Sequence, residues 1–339
     1  MPRLVSALFL LLPLLPLLGC RQQPDDGFNR GGERPVDDDE GALSGRVCAP
    51  NGDAVLSARV LAERNAALEA EVETDESGLF TFADLPSGTY VLTAEKGSWS
   101  VSTEVDYVEG TVVDVGDLCL DPSSVRTAVI TGRYDSIGTL IQDLGFSVDL
   151  VDAVDSDAYL NLLLDPEALA EYDVLFFNCG MSESWGGQSD AVGANLDAFV
   201  AAGGSLYASD LAFPVLEAAR PDFLDMVGPD TFEGPRVGQA ATVQATVLDP
   251  ALAEFFGGRE AEITYDLGGW AVLESVGNDA EVIATGSVST FDGQTLPNAP
   301  LVASMGRPGE GRMVFTTFHN EAQITADMEA ILFELILKL

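Results

Sequence analysis

Apolar positions along this chain follow three regimes. Residues 4–18 are an almost unbroken apolar run. From about 42 to 121 short β-type runs recur with turn signals between them. They are Leu43 to Cys48, Ala58 to Ala62, Ala70 to Thr74, Leu79 to Phe82, Gly88 to Lys96, Trp99 to Tyr107 and Thr111 to Leu120. Pro50-Asn51-Gly52-Asp53, Asp75-Glu76-Ser77-Gly78 and Leu85-Pro86-Ser87-Gly88 supply the backbone angles that turns need. Seven short strands at this spacing predict a β-sandwich.

From about 124 to 339 the period changes. Thr127 to Thr131 reads as a strand, Tyr134 to Leu144 as a helix and Phe146 to Val151 as a strand. Asp173 to Phe177 is the continuous apolar run expected of a strand covered on both faces. Ser189 to Ala202 carries helical spacing through Val192, Leu196, Phe199 and Val200, and Gly203-Gly204 end it. Ser205 to Ala208 and Met313 to Phe318 read as strands, and Ile324 to Leu339 as a closing amphipathic helix. Strand–helix alternation predicts an α/β domain, a mostly parallel sheet with helices on both faces. Thr242 to Leu248, Trp270 to Val276 and Glu281 to Thr285 are expected to extend that sheet.

The first run changes the picture of where the chain works. Met1 to Arg3 give a short basic start, and about fifteen apolar residues follow. That is short of the roughly twenty that span a bilayer, and Pro13 and Pro16 disfavour a stable span. Residues 1–19 therefore read as a signal peptide. Leu17-Leu18-Gly19-Cys20 resembles the bacterial lipobox. The resemblance implies diacylation of the Cys20 thiol, cleavage before it and acylation of the freed amine. Several acyl chains anchor a protein stably to a bilayer. Arg21, where an Asp would point to inner-membrane retention, favours the outer membrane. Residues 20–41 lack apolar periodicity and contain Asp37-Asp38-Asp39-Glu40, so they are expected to be a solvated tether.

Charge narrows the partners. With 55 acidic and 16 basic residues the 339-residue chain has a formal net charge of −39. Such a surface repels phosphate backbones, which excludes nucleic acid as a partner. An envelope protein or a small ligand remains as the expected partner.

Segment 42–121 resembles the carboxypeptidase regulatory-like (transthyretin-like) domain. The likeness lies in Ser44-Gly45-Arg46-Val47, Asn51-Gly52, Ala58-Arg59-Val60, Thr74-Asp75-Glu76-Ser77-Gly78-Leu79-Phe80 and Leu85-Pro86-Ser87-Gly88-Thr89-Tyr90-Val91-Leu92. It implies a non-catalytic spacer or interaction module. Cys48 and Cys119 fall near the ends of the first and last strands. They are either a disulfide, which an oxidising compartment favours, or two buried thiols.

Segment 124–339 resembles the class I glutamine amidotransferase-like, flavodoxin-like fold. Tyr172-Asp173-Val174-Leu175-Phe176-Phe177-Asn178-Cys179-Gly180 looks like the strand whose following loop supplies oxyanion-hole groups. Gly203-Gly204-Ser205-Leu206-Tyr207-Ala208-Ser209-Asp210 falls where the family's strand leads into its nucleophile turn. Gly311 to Glu321 looks like the terminal strand whose His and Glu complete the triad. The resemblance puts Ser209 in the nucleophile slot, His319 in the base slot and Glu321 in the orienting slot. The family uses cysteine there and flanks it with glycines, whereas Tyr207 and Leu211 stand at those offsets here.

Cys179 is a second nucleophile candidate, at the carboxyl end of a central strand where open α/β sheets place their sites. A free cysteine is otherwise a small buried hydrophobe. His319 is the single histidine of the chain. No zinc spacing, cofactor motif or phosphate-binding loop occurs. Asp149, Asp152, Asp155 and Asp157 cluster after the second strand but lack the spacing of a calcium loop, and read as solvated. Two functions follow. One is a non-catalytic, lipid-anchored binding or structural module. The other is a hydrolase using Ser209, His319 and Glu321, or Cys179 with His319.

Overall fold

Seven strands form the first domain: β1 (Ala42–Cys48), β2 (Arg59–Arg64), β3 (Ala67–Glu73), β4 (Leu79–Ala83), β5 (Gly88–Lys96), β6 (Trp99–Tyr107) and β7 (Val112–Cys119). They make two sheets, ordered β4-β1-β7 and β3-β2-β5-β6. Alternation sets the faces. On β5, Tyr90, Leu92 and Ala94 are buried while Thr89 and Val91 face solvent. The Tyr90 hydroxyl donates to the Pro86 carbonyl at 2.7 Å, so the buried ring keeps a partner for its polar end. β1 and β7 run parallel with Cys48 opposite Cys119, and the two sulfurs form a disulfide.

The α/β domain follows. Its elements are β8 (Thr127–Ile130), α1 (Ile137–Asp143), β9 (Asp149–Val151), α2 (Ala158–Leu163), α3 (Pro166–Leu169), β10 (Val174–Phe177), α4 (Ser189–Ala201), β11 (Ser205–Ser209) and α5 (Phe213–Ala219). They continue with β12 (Leu224–Met226), β13 (Ala241–Val247), α6 (Pro250–Phe255), β14 (Ala261–Tyr265), β15 (Leu273–Val276), β16 (Ala280–Ser289), β17 (Thr295–Gly306), β18 (Arg312–Thr316) and α7 (Ala326–Lys338). This computed structural model describes residues 41–182, 185–229, 231–319 and 324–339. The segments expected to be a signal peptide and a tether, up to residue 40 and with Cys20 among them, and Glu321 lie outside the described residues. Among the described residues no helix is long and apolar enough to cross a membrane.

One nine-stranded sheet, ordered β14-β13-β16-β17-β18-β11-β10-β8-β9, organises the domain. β9, β8, β10, β11 and β18 run parallel, and β17, β16, β13 and β14 add antiparallel pairings. The sheet is therefore mixed, not mostly parallel. The difference comes from the β16–β17 hairpin, closed through Phe291-Asp292-Gly293-Gln294, since hairpins pair antiparallel strands. Trp270 to Val276 departs from expectation as well: β15 leaves the main sheet and pairs with β12 in a separate ribbon.

The central strands β8 and β10 are buried at every residue, because both sheet faces are covered. On β10, Val174 and Phe176 join one core with α1, α7 and the sandwich interior. Leu175 and Phe177 join the opposite core with α4 and α5. The first core runs through both domains without a break. At the seam the Trp99 ring lies 3.9 Å from the Phe146 ring, centroid to centroid, and Trp99 Nε1 donates to the Ile336 carbonyl at 3.2 Å. Lys96 Nζ sits 3.2 Å from Glu334 Oε2, with both side chains 6 % exposed. Gly97 allows the close seat of α7, since a Cβ there would lie 2.4 Å from the Leu339 carbonyl oxygen.

Candidate functional site

Open α/β sheets leave a crevice beyond the carboxyl ends of their strands. Here the ends of β8, β10, β11 and β18 bring together Asp135, Cys179, Ser209, Asp210 and His319. Gly132 permits the approach: a Cβ there would fall 2.1 Å from the Cys179 carbonyl oxygen. The backbone then links the two loops, with the Tyr134 N–H donating to the Cys179 carbonyl at 3.2 Å.

Ser209 is the last residue of β11 and fully buried. Its hydroxyl donates to Asp135 Oδ2 and accepts from the Cys179 N–H at 3.0 Å. Asp135 also accepts the Ile137 N–H at 2.9 Å. That carboxylate shapes the loop before α1, so the helix starts at Ile137 rather than at Tyr134. The next residue on the other loop, Asp210, takes φ +43°, left-handed backbone that Asp tolerates better than most residues. The sharp turn after β11 therefore presents Asp210, one position beyond Ser209.

Asp210 is almost wholly buried, and each carboxylate oxygen has its own work. Oδ1 accepts the Ala271 N–H at 2.7 Å. Oδ2 accepts the Cys179 thiol at 3.4 Å and lies 3.7 Å from His319 Nδ1. Burial pushes the Asp210 carboxyl up to about 6, against the opposing pull of the His319 ring and these hydrogen bonds. Burial likewise drives the Cys179 thiol far above its ordinary value, and the Asp210 charge adds to it. Ligand atoms of Cys179, Asp210 and His319 all lie within 4.8 Å of one another.

These three residues line a cavity of about 230 Å³. Its walls include Tyr134, Arg236 and Gly268, and Trp270 stacks on Tyr265 with ring centroids 4.0 Å apart. The Tyr265 hydroxyl shares a 2.6 Å hydrogen bond with Thr317, and the Trp270 Nε1 donates to the Gln239 carbonyl at 3.0 Å. The aromatic wall is thus held from behind.

Of the residues singled out from sequence, Cys179 and His319 meet here. Ser209 lies beneath them, turned to Asp135, and Glu321 is outside the described residues. The acidic cluster after β9 does not converge on a point. Asp152 accepts the N–H groups of Val154 and Asp155, Asp155 pairs with Arg133, and Asp149 accepts from the Tyr172 hydroxyl. Sequence reasoning passed over Asp135, Asp210 and the Trp270–Tyr265 pair. Asp210 carried one readable signal: an Asp at a strand-to-helix turn is a natural occupant of left-handed backbone.

Comparison with known proteins bears on the first domain. Residues 42–120 match the carboxypeptidase regulatory-like domain. The β1–β7 sandwich is of that transthyretin-like type. The motifs from Ser44 to Leu92 that suggested it fall inside the matched segment. Among solved structures, the Bacillus anthracis TIE protein is 14% identical, with 24% of this chain and 16% of that chain covered and a TM-score of 0.21. BcpA, the major pilin subunit of Bacillus cereus, is 13% identical, with 24% and 30% covered and a TM-score of 0.21. Klebsiella pneumoniae 5-hydroxyisourate hydrolase is 21% identical, with 24% and 91% covered and a TM-score of 0.21. The chain thus spans less than a third of the first two proteins. No curated protein matches it.

Proposed function

We propose that this chain is a lipoprotein of the cell envelope, cut before Cys20 and held to a bilayer by acyl chains on that residue. In this account its second domain is a flavodoxin-like, class I glutamine amidotransferase-like domain that binds a small ligand without cleaving it. The five parallel strands support the fold assignment. Numbered in chain order they lie 2-1-3-4-5, the doubly wound order with a switch point between β8 and β10. In chain order the carboxypeptidase regulatory-like sandwich then separates the anchor from the ligand-binding domain.

The observation that carries the non-catalytic part is the state of the turn after β11. A serine nucleophile needs a base beside it and an oxygen that substrate can reach. The Ser209 hydroxyl donates to the Asp135 carboxylate but is fully buried beneath the cavity, out of reach of a substrate. The cavity-facing point of the turn holds a buried carboxylate whose two oxygens already accept hydrogen bonds. What remains is a walled cavity with an aromatic face, a carboxyl and an imidazole, the composition of a binding site.

The proximity of Cys179 and His319 favours one rival, a thiol hydrolase. Against it, the thiolate is the nucleophile, and burial holds this thiol protonated. Fluorophosphonate and iodoacetamide probes separate the two accounts. A binding domain leaves Ser209 and Cys179 unmodified in both wild type and His319→Ala. A hydrolase modifies one of them in the wild type and loses that adduct in His319→Ala.

A further inference from the structure

The trio at the cavity floor has the chemistry and the spacing of a metal site. We propose that Cys179 Sγ, Asp210 Oδ2 and one His319 ring nitrogen hold a single divalent transition-metal ion of the zinc class, with a fourth position open to the cavity. This rests on the cavity being a binding site and names what anchors its ligand.

Geometry comes first. Zinc binds thiolate at about 2.3 Å, and imidazole and carboxylate at about 2.0–2.2 Å, in tetrahedral array. Ligand atoms of such a site lie roughly 3.3–3.6 Å apart, from those bond lengths and the tetrahedral angle. Here Sγ to Oδ2 is 3.4 Å, Nδ1 to Oδ2 is 3.7 Å, and all three ligand atoms fall within 4.8 Å. Rotations of the Cys179 and His319 side chains that move their ligand atoms by about 1 Å would close the array from its present 4.8 Å span.

Chemistry selects the ion. A thiolate with an imidazole favours zinc or a similar borderline metal over magnesium or calcium, which prefer all-oxygen shells. The carboxylate is oriented for the task. The Ala271 N–H holds Asp210 Oδ1 at 2.7 Å and leaves Oδ2 aimed at the other two groups. On binding, the Cys179 S–H loses its proton to solvent, the sulfur lone pair forms the new bond, and no oxidant is needed. Tyr134, Tyr265 and Trp270 line the space that faces the fourth position, where water or a coordinating ligand group would sit. The ligands come from three strand ends distant in sequence, so no short zinc motif records them.

The test uses the full chain, stripped with chelator and titrated with Co²⁺. One equivalent is expected to give intense visible bands of tetrahedral cobalt and a thiolate-to-cobalt band in the near ultraviolet, both bleached by Zn²⁺. Cys179→Ser, nearly isosteric, is expected to lose the near-ultraviolet band and at least about tenfold in affinity. His319→Ala is expected to weaken binding similarly, and Asp152→Asn, an exposed acid outside the site, to leave it unchanged. A rise in the wild-type melting temperature with Zn²⁺ that is absent in Cys179→Ser gives a second readout.

Failure to form the bands overturns the proposal. So does a spectrum that survives Cys179→Ser, or weak multi-equivalent uptake indifferent to all three substitutions, which reports only the acidic surface. None of these outcomes touches the probe experiment above. Covalent labelling of Ser209 or Cys179 removes the non-catalytic account and leaves the cobalt spectrum standing.

Discussion

The seam between the two domains makes a strong quantitative prediction. Lys96 and Glu334 form an ion pair in which each side chain is 6 % exposed, and Lys96 Nζ also donates to the Leu56 carbonyl. Burial pushes the Lys96 ammonium down and the Glu334 carboxyl up, each toward its neutral form, and the opposing support comes first from each other, with Asp249 and Lys338 adding smaller effects. Lys96→Met leaves Glu334 buried without its hydrogen-bonded cation, with only Lys338 supporting its charge from farther off, and should cost about 3–5 kcal/mol. Glu334→Leu alone should cost a similar amount. The double replacement removes both charges and keeps the volume, so it should lie within about 1 kcal/mol of wild type. Urea unfolding of the four proteins, read by tryptophan fluorescence and far-ultraviolet circular dichroism, gives the cycle. Trp99 lies at the seam and reports it directly. Because one core runs through both domains, the two probes should also show a single shared transition. A Lys96→Met protein within 1 kcal/mol of wild type, or separate transitions for sandwich and α/β domain, refutes the reasoning.

Three further outcomes are expected. Reducing the Cys48–Cys119 disulfide, or replacing both cysteines by alanine, opens a loop spanning 71 residues and should destabilise the chain by about 4 kcal/mol in the chain-entropy account, measured as a lower urea midpoint. Asp327 accepts from both Arg259 amino groups, and that hydrogen bonding holds its carboxyl below its ordinary value against the opposing effect of burial. A carboxyl whose folded-state value is depressed adds stability that is full above its unfolded value and is lost as pH falls through the folded-state value. Asp327→Asn should therefore cost about 1 kcal/mol at pH 7, and the gap to wild type should begin to narrow below about pH 4 and vanish only under the folded-state value. Mass measurement of the N-terminal peptide from membrane-extracted protein should find Cys20 first and acylated. A soluble product retaining residues 1–19 contradicts the anchor.

Much of the fold was readable because local pattern and tertiary burial agree. β5 and β6 begin and end where alternation placed them, since Tyr90, Leu92 and Ala94 fill one face of a sheet that is open on the other. The all-apolar β10 needed no alternation, being covered on both sides. β17 was missed because Pro297 and Pro300 interrupt it, and proline argues against a strand unless the missing N–H is not needed by the ladder. The short helices α2, α3 and α6 left too few turns for a period to show.

The site was legible only in part, for a geometric reason. Cys179 and His319 each stand just past a strand whose apolar run ends visibly. Ser209 and Asp210 are adjacent, and a one-residue choice at a turn decides which of them meets the cavity. Sequence alignment to a family strand cannot make that choice, because it depends on where the left-handed residue falls. The Asp135–Ser209 bond, which turns the serine inward, joins residues 74 apart in sequence.

Cysteine scanning of that turn tests the central claim most directly. Ser209→Cys and Asp210→Cys are each treated with iodoacetamide under native conditions, and the rate of adduct formation at each position is followed by peptide mapping. With Asp210 at the point of the turn beside His319, Asp210→Cys should alkylate faster than Ser209→Cys by on the order of tenfold or more. Faster alkylation at position 209 would put that side chain in the cavity, and the account of a disarmed, ligand-binding turn would be wrong.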